Sequence, residues 1–188
     1  MKTLIIASAV SLVVGGLIAG VSRAAPSSHS SATDSAGNLH VPDDYQKLYQ
    51  FLGAWAVASD GVPGSKQMHY VYASPGAVEA YKRNGHFPDG TVLVKEVYGT
   101  DTAPMTTGTV SHAQTLKGWF VMVRDTHQSH LKSKLWGDGW GWSWFDAGNR
   151  SKTTSVDYKA NCLGCHTPAK ATDWVYTQGY PSLAAERR

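Results

Sequence analysis

Cys162-Leu163-Gly164-Cys165-His166 sets two thiols three positions apart, with an imidazole directly after the second. This is the Cys-x-x-Cys-His spacing through which c-type haem is attached. Two thiols at that spacing can add to the two vinyl groups on one side of a porphyrin. The adjacent imidazole then comes under the iron. On this reading Cys162 and Cys165 are thioether anchors and His166 is the proximal axial ligand. Three other chemistries use closely spaced cysteines. A thioredoxin-like pair needs a βαβ unit around it, and the chain shows no such pattern. A structural zinc site needs a fourth ligand, and no second cysteine pair or His-x3–5-His follows. A disulfide across two residues closes too short a loop to add much. Both cysteines of the chain lie in the motif, and one haem c accounts for both.

The position of the motif bears on the sixth ligand. Only 22 residues follow His166, and they contain neither Met nor His. A protein sixth ligand would have to come from Met68, Met105, Met122 or an upstream histidine, and core packing is the ordinary role for such methionines. The expectation is five-coordinate iron with an open distal face. That favours ligand binding or chemistry over electron transfer alone.

Several elements must position these groups. Tyr45, Leu48, Tyr49, Leu52 and Trp55, behind Pro42-Asp43-Asp44, predict an amphipathic helix with proline and acids at its start. Ser74-Pro75-Gly76 predicts a second short helix, with Ser74 as N-cap and Gly85 as the stop. Gln67–Ala73, Thr91–Tyr98, Gly118–Arg124 and Gly139–Phe145 are rich in Val, Tyr, Trp and Phe and predict strands. Pro88-Asp89-Gly90 predicts a turn into the second of them. Turns or one short helix separate the strands, so the expected class is α+β, mainly antiparallel sheet with a few short helices and the haem-attachment segment at the C-terminal end.

Composition bounds the rest. The chain has 188 residues, 42% hydrophobic and 16% charged, with seven tryptophans and a formal net charge of +3. That supports one domain with a substantial core. Lys2, a 19-residue uncharged stretch from Thr3 to Val21, and Ser22-Arg23-Ala24 resemble a secretory signal cleaved after Ala24. The stretch exceeds the usual apolar length of about 7–15 residues, so an uncleaved membrane anchor is the alternative. Gly15, Gly16 and Gly20 weigh against a permanent helix. Either way the domain is expected to be exported, with a periplasmic location. Without residues 1–24 the balance is 15 basic against 14 acidic residues, so charge gives no reason to expect a nucleic-acid partner. Residues 25–39, rich in Ser, Ala and Thr, are expected to be a flexible linker, and residues 40–188 the haem domain.

Beyond the motif, the sequence resembles the cytochrome P-460 family, which includes the beta-type cytochromes c′. The likeness is carried by Val71-Tyr72 with Ser74-Pro75, by Ala80-Tyr81-Lys82, and by the run from Gly85 to Glu96. It resumes from Gly118 to Asp125, at Cys162 to His166, and at Asp173-Trp174-Val175 with Tyr180-Pro181. It spans about residues 40–183. The resemblance implies a dimeric, mostly antiparallel domain with one haem on a C-terminal motif. It also implies a small nitrogenous ligand or substrate and a small redox protein as electron acceptor. In the P-460 branch a lysine is also linked to the porphyrin edge, and the residue at that position here is Lys95. Leu93, Lys95 and Val97 share one strand face, so Lys95 emerges among apolar neighbours. Desolvation lowers a lysine's pKa and frees its amine as a nucleophile. The plainer alternative is a strand-end lysine reaching solvent.

One departure matters. Hydroxylamine-oxidising members carry a distal glutamate on the strand corresponding to Gly118–Asp125, and the aligned residue here is Phe120. Phenylalanine cannot relay a proton. A register slip of two brings Gly118 or Met122 to that place, neither of them acidic. An apolar distal lining is what the beta-type cytochromes c′ use to bind diatomic gases. Three readings therefore stand: hydroxylamine oxidation, nitric oxide or carbon monoxide binding without turnover, and electron transfer alone. Of the remaining residues, His69 could reach the pocket, while His127 and His130 are expected to face solvent. Trp140, Trp142 and Trp144 share a face and either wall the haem or fill the core. Glu96 points away from Lys95 and is expected to be structural.

Overall fold

Strand patterning converges on one antiparallel sheet. The computed structural model describes residues 31–184. The expected signal segment and the first part of the linker lie outside the described residues. In chain order the elements are α1 (Tyr45–Leu48), β1 (Gln50–Ala58), β2 (Ser65–Ala73), α2 (Ala77–Asn84), β3 (Val92–Met105), β4 (Gly108–Arg124), β5 (Trp136–Gly137) and β6 (Trp140–Asp146). The sheet order is β1-β2-β3-β4-β6-β5, with every neighbouring pair antiparallel. A helical run then crosses one face of the sheet. It is made of a π-turn (Lys159–Leu163), an α turn (Gly164–His166) and a 3₁₀ stretch (Thr167–Thr172). The expected class, mainly antiparallel sheet with a few short helices, is what the chain adopts. Among the described residues no helix is long and apolar enough to cross a membrane.

The central strands are covered on both faces, so they read as near-continuous apolar runs rather than alternating ones. On one face Val92, Val94, Trp119, Val121, Val123 and Phe145 pack under the N-terminal segment that includes Ala32, Leu39, Val41 and Tyr45. On the other, Val71, Leu93, Met122, Trp140 and Trp142 pack under α2 and the C-terminal helical run. Val94 and Val121 are fully buried, each worth about 1.5–3 kcal/mol relative to exposure. Glu96, on the first face, is also fully buried. Its Oε1 accepts hydrogen bonds from the Tyr45 hydroxyl and from Gln46 Nε2, and Trp119 Nε1 donates to the Tyr45 oxygen at 2.9 Å. Its role is to hold α1 against the sheet.

Four local expectations are corrected. The helix predicted from Tyr45 to Trp55 is one turn long, and Leu52 and Trp55 lie on β1. Gly53 disfavours the helix, the Phe, Trp and Val of this stretch favour a strand, and pairing with β2 supplies the hydrogen bonds that an isolated short helix could not sustain. Ser74 is not the cap of α2. Gly76 is, in a left-handed conformation (φ 79°), while Ser74 Oγ accepts from Val92 N at 3.0 Å and ties the loop to β3. Gly85 does end the helix, with φ 73° and its N–H on the Tyr81 carbonyl. Strands β3 and β4 run well past Tyr98 and before Gly118, as a polar two-stranded ribbon turning at Thr106-Thr107. Its residues carry no apolar face to betray it. Lastly, the Ser/Ala/Thr-rich segment reaches the core at its C-terminal end. Ala32 and Leu39 are buried, Thr33 bridges to Leu39, and Trp136 Nε1 donates to the Gly37 carbonyl at 2.9 Å.

Candidate functional site

Register places the predicted residues in rows across the sheet. One row is Val71, Lys95, Phe120 and Trp144; the next is Ala73, Leu93, Met122 and Trp142; on the other side lie His69, Val97 and Gly118. All three rows face the C-terminal helical run. There Cys162, Cys165 and His166 sit at helical spacings of three and four, on one side of the run. Between the run and the sheet lies a cavity of about 490 Å³. Lys95, Phe120, Cys162, Cys165 and His166 all line it, so all five residues singled out in the sequence meet in one place. His69, Met122, Trp142 and Trp144 line it as well. Met68 and Met105 are not part of its lining, and Met105 is exposed. His127 is exposed beside Asp89 at 3.8 Å, whereas His130, expected to face solvent, is half-buried with its ring tilted against Trp136, centroids 4.4 Å apart. Of the three tryptophans, Trp140 is core, whereas Trp142 and Trp144 both wall the cavity.

The imidazole of His166 is held in one tautomer. Its Nδ1 lies 2.7 Å from the Trp174 carbonyl oxygen, which can only accept, so Nδ1 carries the proton. Nε2 therefore keeps its lone pair, the state an axial ligand needs. Burial pushes the His166 pKa down, in the same direction. The ring meets Trp142 edge-on at 5.0 Å. Trp174 reaches its position through two consecutive left-handed residues, Asp173 (φ 60°) and Trp174 (φ 65°). For a bulky side chain this conformation is strained, by about 1–3 kcal/mol, and it persists only where surroundings over-determine it.

Those surroundings are specific. Asp173, buried, pairs with Arg124 Nη2 at 3.1 Å, and its other oxygen accepts from Phe87 N at 2.9 Å. Arg124 Nη1 donates in turn to the Gly139 carbonyl at 2.9 Å. Gly139 adopts a left-handed conformation (φ 79°) that favours glycine, and a Cβ there would also stand 2.3 Å from that nitrogen and push the guanidinium aside. Asp173, Trp174 and Arg124 lie in stretches that carry the family likeness. Sequence reasoning nonetheless gave them no role, because a backbone carbonyl acting on His166 leaves no side-chain signal.

Cys162 is buried and Cys165 exposed, both as free thiols. Burial pushes the Cys162 thiol up to about 11. The Tyr176 hydroxyl donates to the Cys165 carbonyl at 2.5 Å, bracing the run. Lys95 extends its ammonium over the Phe120 ring, 4.3 Å from the centroid, and Phe120 leans on Trp144 at 4.6 Å. Burial lowers the Lys95 pKa, partly offset by the nearby thiols. Its amine thus turns into the cavity rather than to solvent. His69 Nε2 lies 3.0 Å from Gln67 Oε1, an acceptor, which leaves Nδ1 of His69 with a lone pair. Burial first, then Lys95, lowers its pKa to about 4, so it is neutral at neutral pH.

The cavity suits a haem: it is mostly apolar, two thiols face it at the attachment spacing, and one imidazole nitrogen is available to iron. A protein-family model described as Cytochrome P460 matches residues 42–177, which include every one of these residues. No curated protein matches the chain.

Proposed function

The chain belongs to the cytochrome P460 family and is therefore a haem cytochrome; from that premise we propose that it is an exported mono-haem c-type protein acting on hydroxylamine or related nitrogen oxides. Cys162 and Cys165 would hold the haem through thioethers, His166 would supply a nitrogen to its iron, and Lys95 would form a third link to the porphyrin edge. The observation that carries this reading is the convergence of Lys95 on the cavity lined by both thiols and His166. A bound haem would supply the one-electron redox chemistry, with a small redox protein as the acceptor.

The protein's own groups do the rest. Phe120, Trp144 and Met122 exclude water and favour small, weakly polar ligands. A substrate such as hydroxylamine must also lose protons. With Phe120 in place of a carboxylate, His69 is the neutral base facing the cavity, its Nδ1 open to accept a proton. Its pKa of about 4 makes it a weak base, comparable to a carboxylate. Turnover through His69 should therefore be flat across neutral pH and fall as pH drops toward 4, when the imidazole protonates.

A second reading has its own support. The Phe120–Trp144 contact leaves an apolar wall beside Lys95, which suits a nitric oxide or carbon monoxide binder without turnover. Phe120→Glu separates the two. For a catalyst that lacks its strongest relay group, the substitution should raise steady-state hydroxylamine oxidation by about 10²-fold or more. Wild-type turnover that the substitution leaves unchanged would refute the role assigned to this position. No wild-type turnover, together with tight nitric oxide binding, would favour the gas-binding reading.

A further inference from the structure

From Trp142, which lines the cavity beside His166, aromatic rings continue to a second groove. Trp142, which touches the His166 ring, lies nearly parallel to Tyr158 (6.2 Å, 13°) and meets Trp174 edge-on (6.2 Å, 89°). Tyr158 and Trp174 both line a second, open groove of about 810 Å³. Lys132, Lys134, Lys159 and Lys170 surround it and are all exposed. Two of them stand over the aromatic floor: Lys159 Nζ is 5.9 Å from the Tyr158 ring centroid, and Lys170 Nζ is 5.4 Å from that of Trp174. Among the described residues none of these lysines is in an ion pair.

The groove also has carboxylates, and they are turned to local duties. Asp138 Oδ2 accepts from the Tyr158 hydroxyl at 3.1 Å, Asp157 Oδ1 from Lys159 N at 2.9 Å, and both Asp125 oxygens from Ser129 N. Four exposed lysines stand against three carboxylates, of which Asp125 is buried and Asp157 half-buried, so the exposed rim is weighted to positive charge, around an exposed apolar side chain, Leu131. An apolar spot inside a cationic rim suits a small acidic protein that must dock quickly and leave quickly. Exposed charges steer the encounter, and few contacts hold it.

We propose that this groove is the docking surface for a small acidic one-electron carrier protein. The inference rests on the reading of His166 as an axial haem ligand. Each encounter moves one electron from this chain's reduced centre to the oxidised partner, past Trp142 and Tyr158 or Trp174, and no proton transfer is required. The two grooves then divide the work, with the substrate entering beside Lys95 and the electron leaving behind His166.

The test uses the holoprotein and an acidic plastocyanin as probe. Stopped-flow mixing of the reduced protein with oxidised plastocyanin should show a second-order rate that falls steeply with salt. The double variant Lys159→Glu/Lys170→Glu should slow it by about tenfold or more at low ionic strength and flatten the salt dependence. Lys82→Glu/Arg83→Glu, the same charge change on exposed α2 residues, should leave it nearly unchanged. Equal loss in both variants, or no loss in the first, would overturn the proposal. Re-oxidation by an uncharged quinone and the visible spectrum are read in parallel. If wild type lacks a haem spectrum, the underlying reading has failed; a normal spectrum with unaltered plastocyanin kinetics in the first variant fails the docking surface alone.

Discussion

Asp173→Ala is expected to destabilise the protein by about 3–5 kcal/mol, the usual loss when one partner of a buried ion pair is removed and the other is left behind. Arg124 would keep its charge in a largely buried position, its side chain 15% exposed, beside Trp140, and Phe87 N–H would lose its acceptor. The damage should extend past stability. Asp173 precedes Trp174 in a left-handed turn that these contacts help to hold, beside the Trp174 N–H to Ala169 carbonyl bond, and the Trp174 carbonyl fixes the proton of His166 on Nδ1. With that hydrogen bond loosened, the His166 imidazole becomes less basic, and with His166 as the proposed haem ligand the reduction potential should rise. Denaturant unfolding of the holoprotein measures the first effect and a redox titration the second. Asp173→Asn retains an acceptor for Phe87 and should lie between the two in stability. An unchanged potential in Asp173→Ala would show that the turn holds without its carboxylate.

The proposed haem motif was legible because its chemistry needs neighbouring side chains: Cys162, Cys165 and His166 lie within five positions of the chain and need only a helical turn to face one way. Lys95 and Phe120 were legible through strand alternation, and the register pairing them directly across β3 and β4 follows from it. Elements lacking a buried face were hidden. The ribbon from Gly99 to Lys117 is solvated on both sides, so hydrophobic period says nothing about it. Strand β1 was hidden differently, because its apolar residues continue the spacing of α1 and mimic a longer helix until Gly53 and the pairing with β2 are seen. Long-range partners were hidden most of all. Arg124 and Asp173 are 49 positions apart, and only the folded chain shows that one anchors the turn that orients His166.

Lys95→Arg should abolish the red-shifted Soret band that a porphyrin-edge link produces, while leaving the haem covalently bound through Cys162 and Cys165. Arginine keeps the positive charge and most of the length, but its guanidinium stays protonated and is a poor nucleophile. A structural need for a cation over Phe120 would be met by the variant; a need for a free amine would not. The pH dependence of cross-link formation makes the same point. Lysine reacts through its neutral amine, and burial has lowered the Lys95 pKa from its ordinary 10.5. At any pH below the native pKa, more of this amine is neutral than of an exposed lysine. The rate of linking should therefore rise about tenfold per pH unit and level off only above the native pKa. Maturing the protein at two pH values and reading the fraction with the shifted band measures that slope. A flat response would sink the nucleophile assignment, and a shifted band retained in Lys95→Arg would place the third link on another residue. The apolar wall matters to the outcome: Phe120 and Trp144 desolvate the amine, so the residue that removes the proton relay also activates the lysine. Phe120→Glu should accordingly raise the Lys95 pKa and slow linking at a fixed pH, even as it restores a base for turnover.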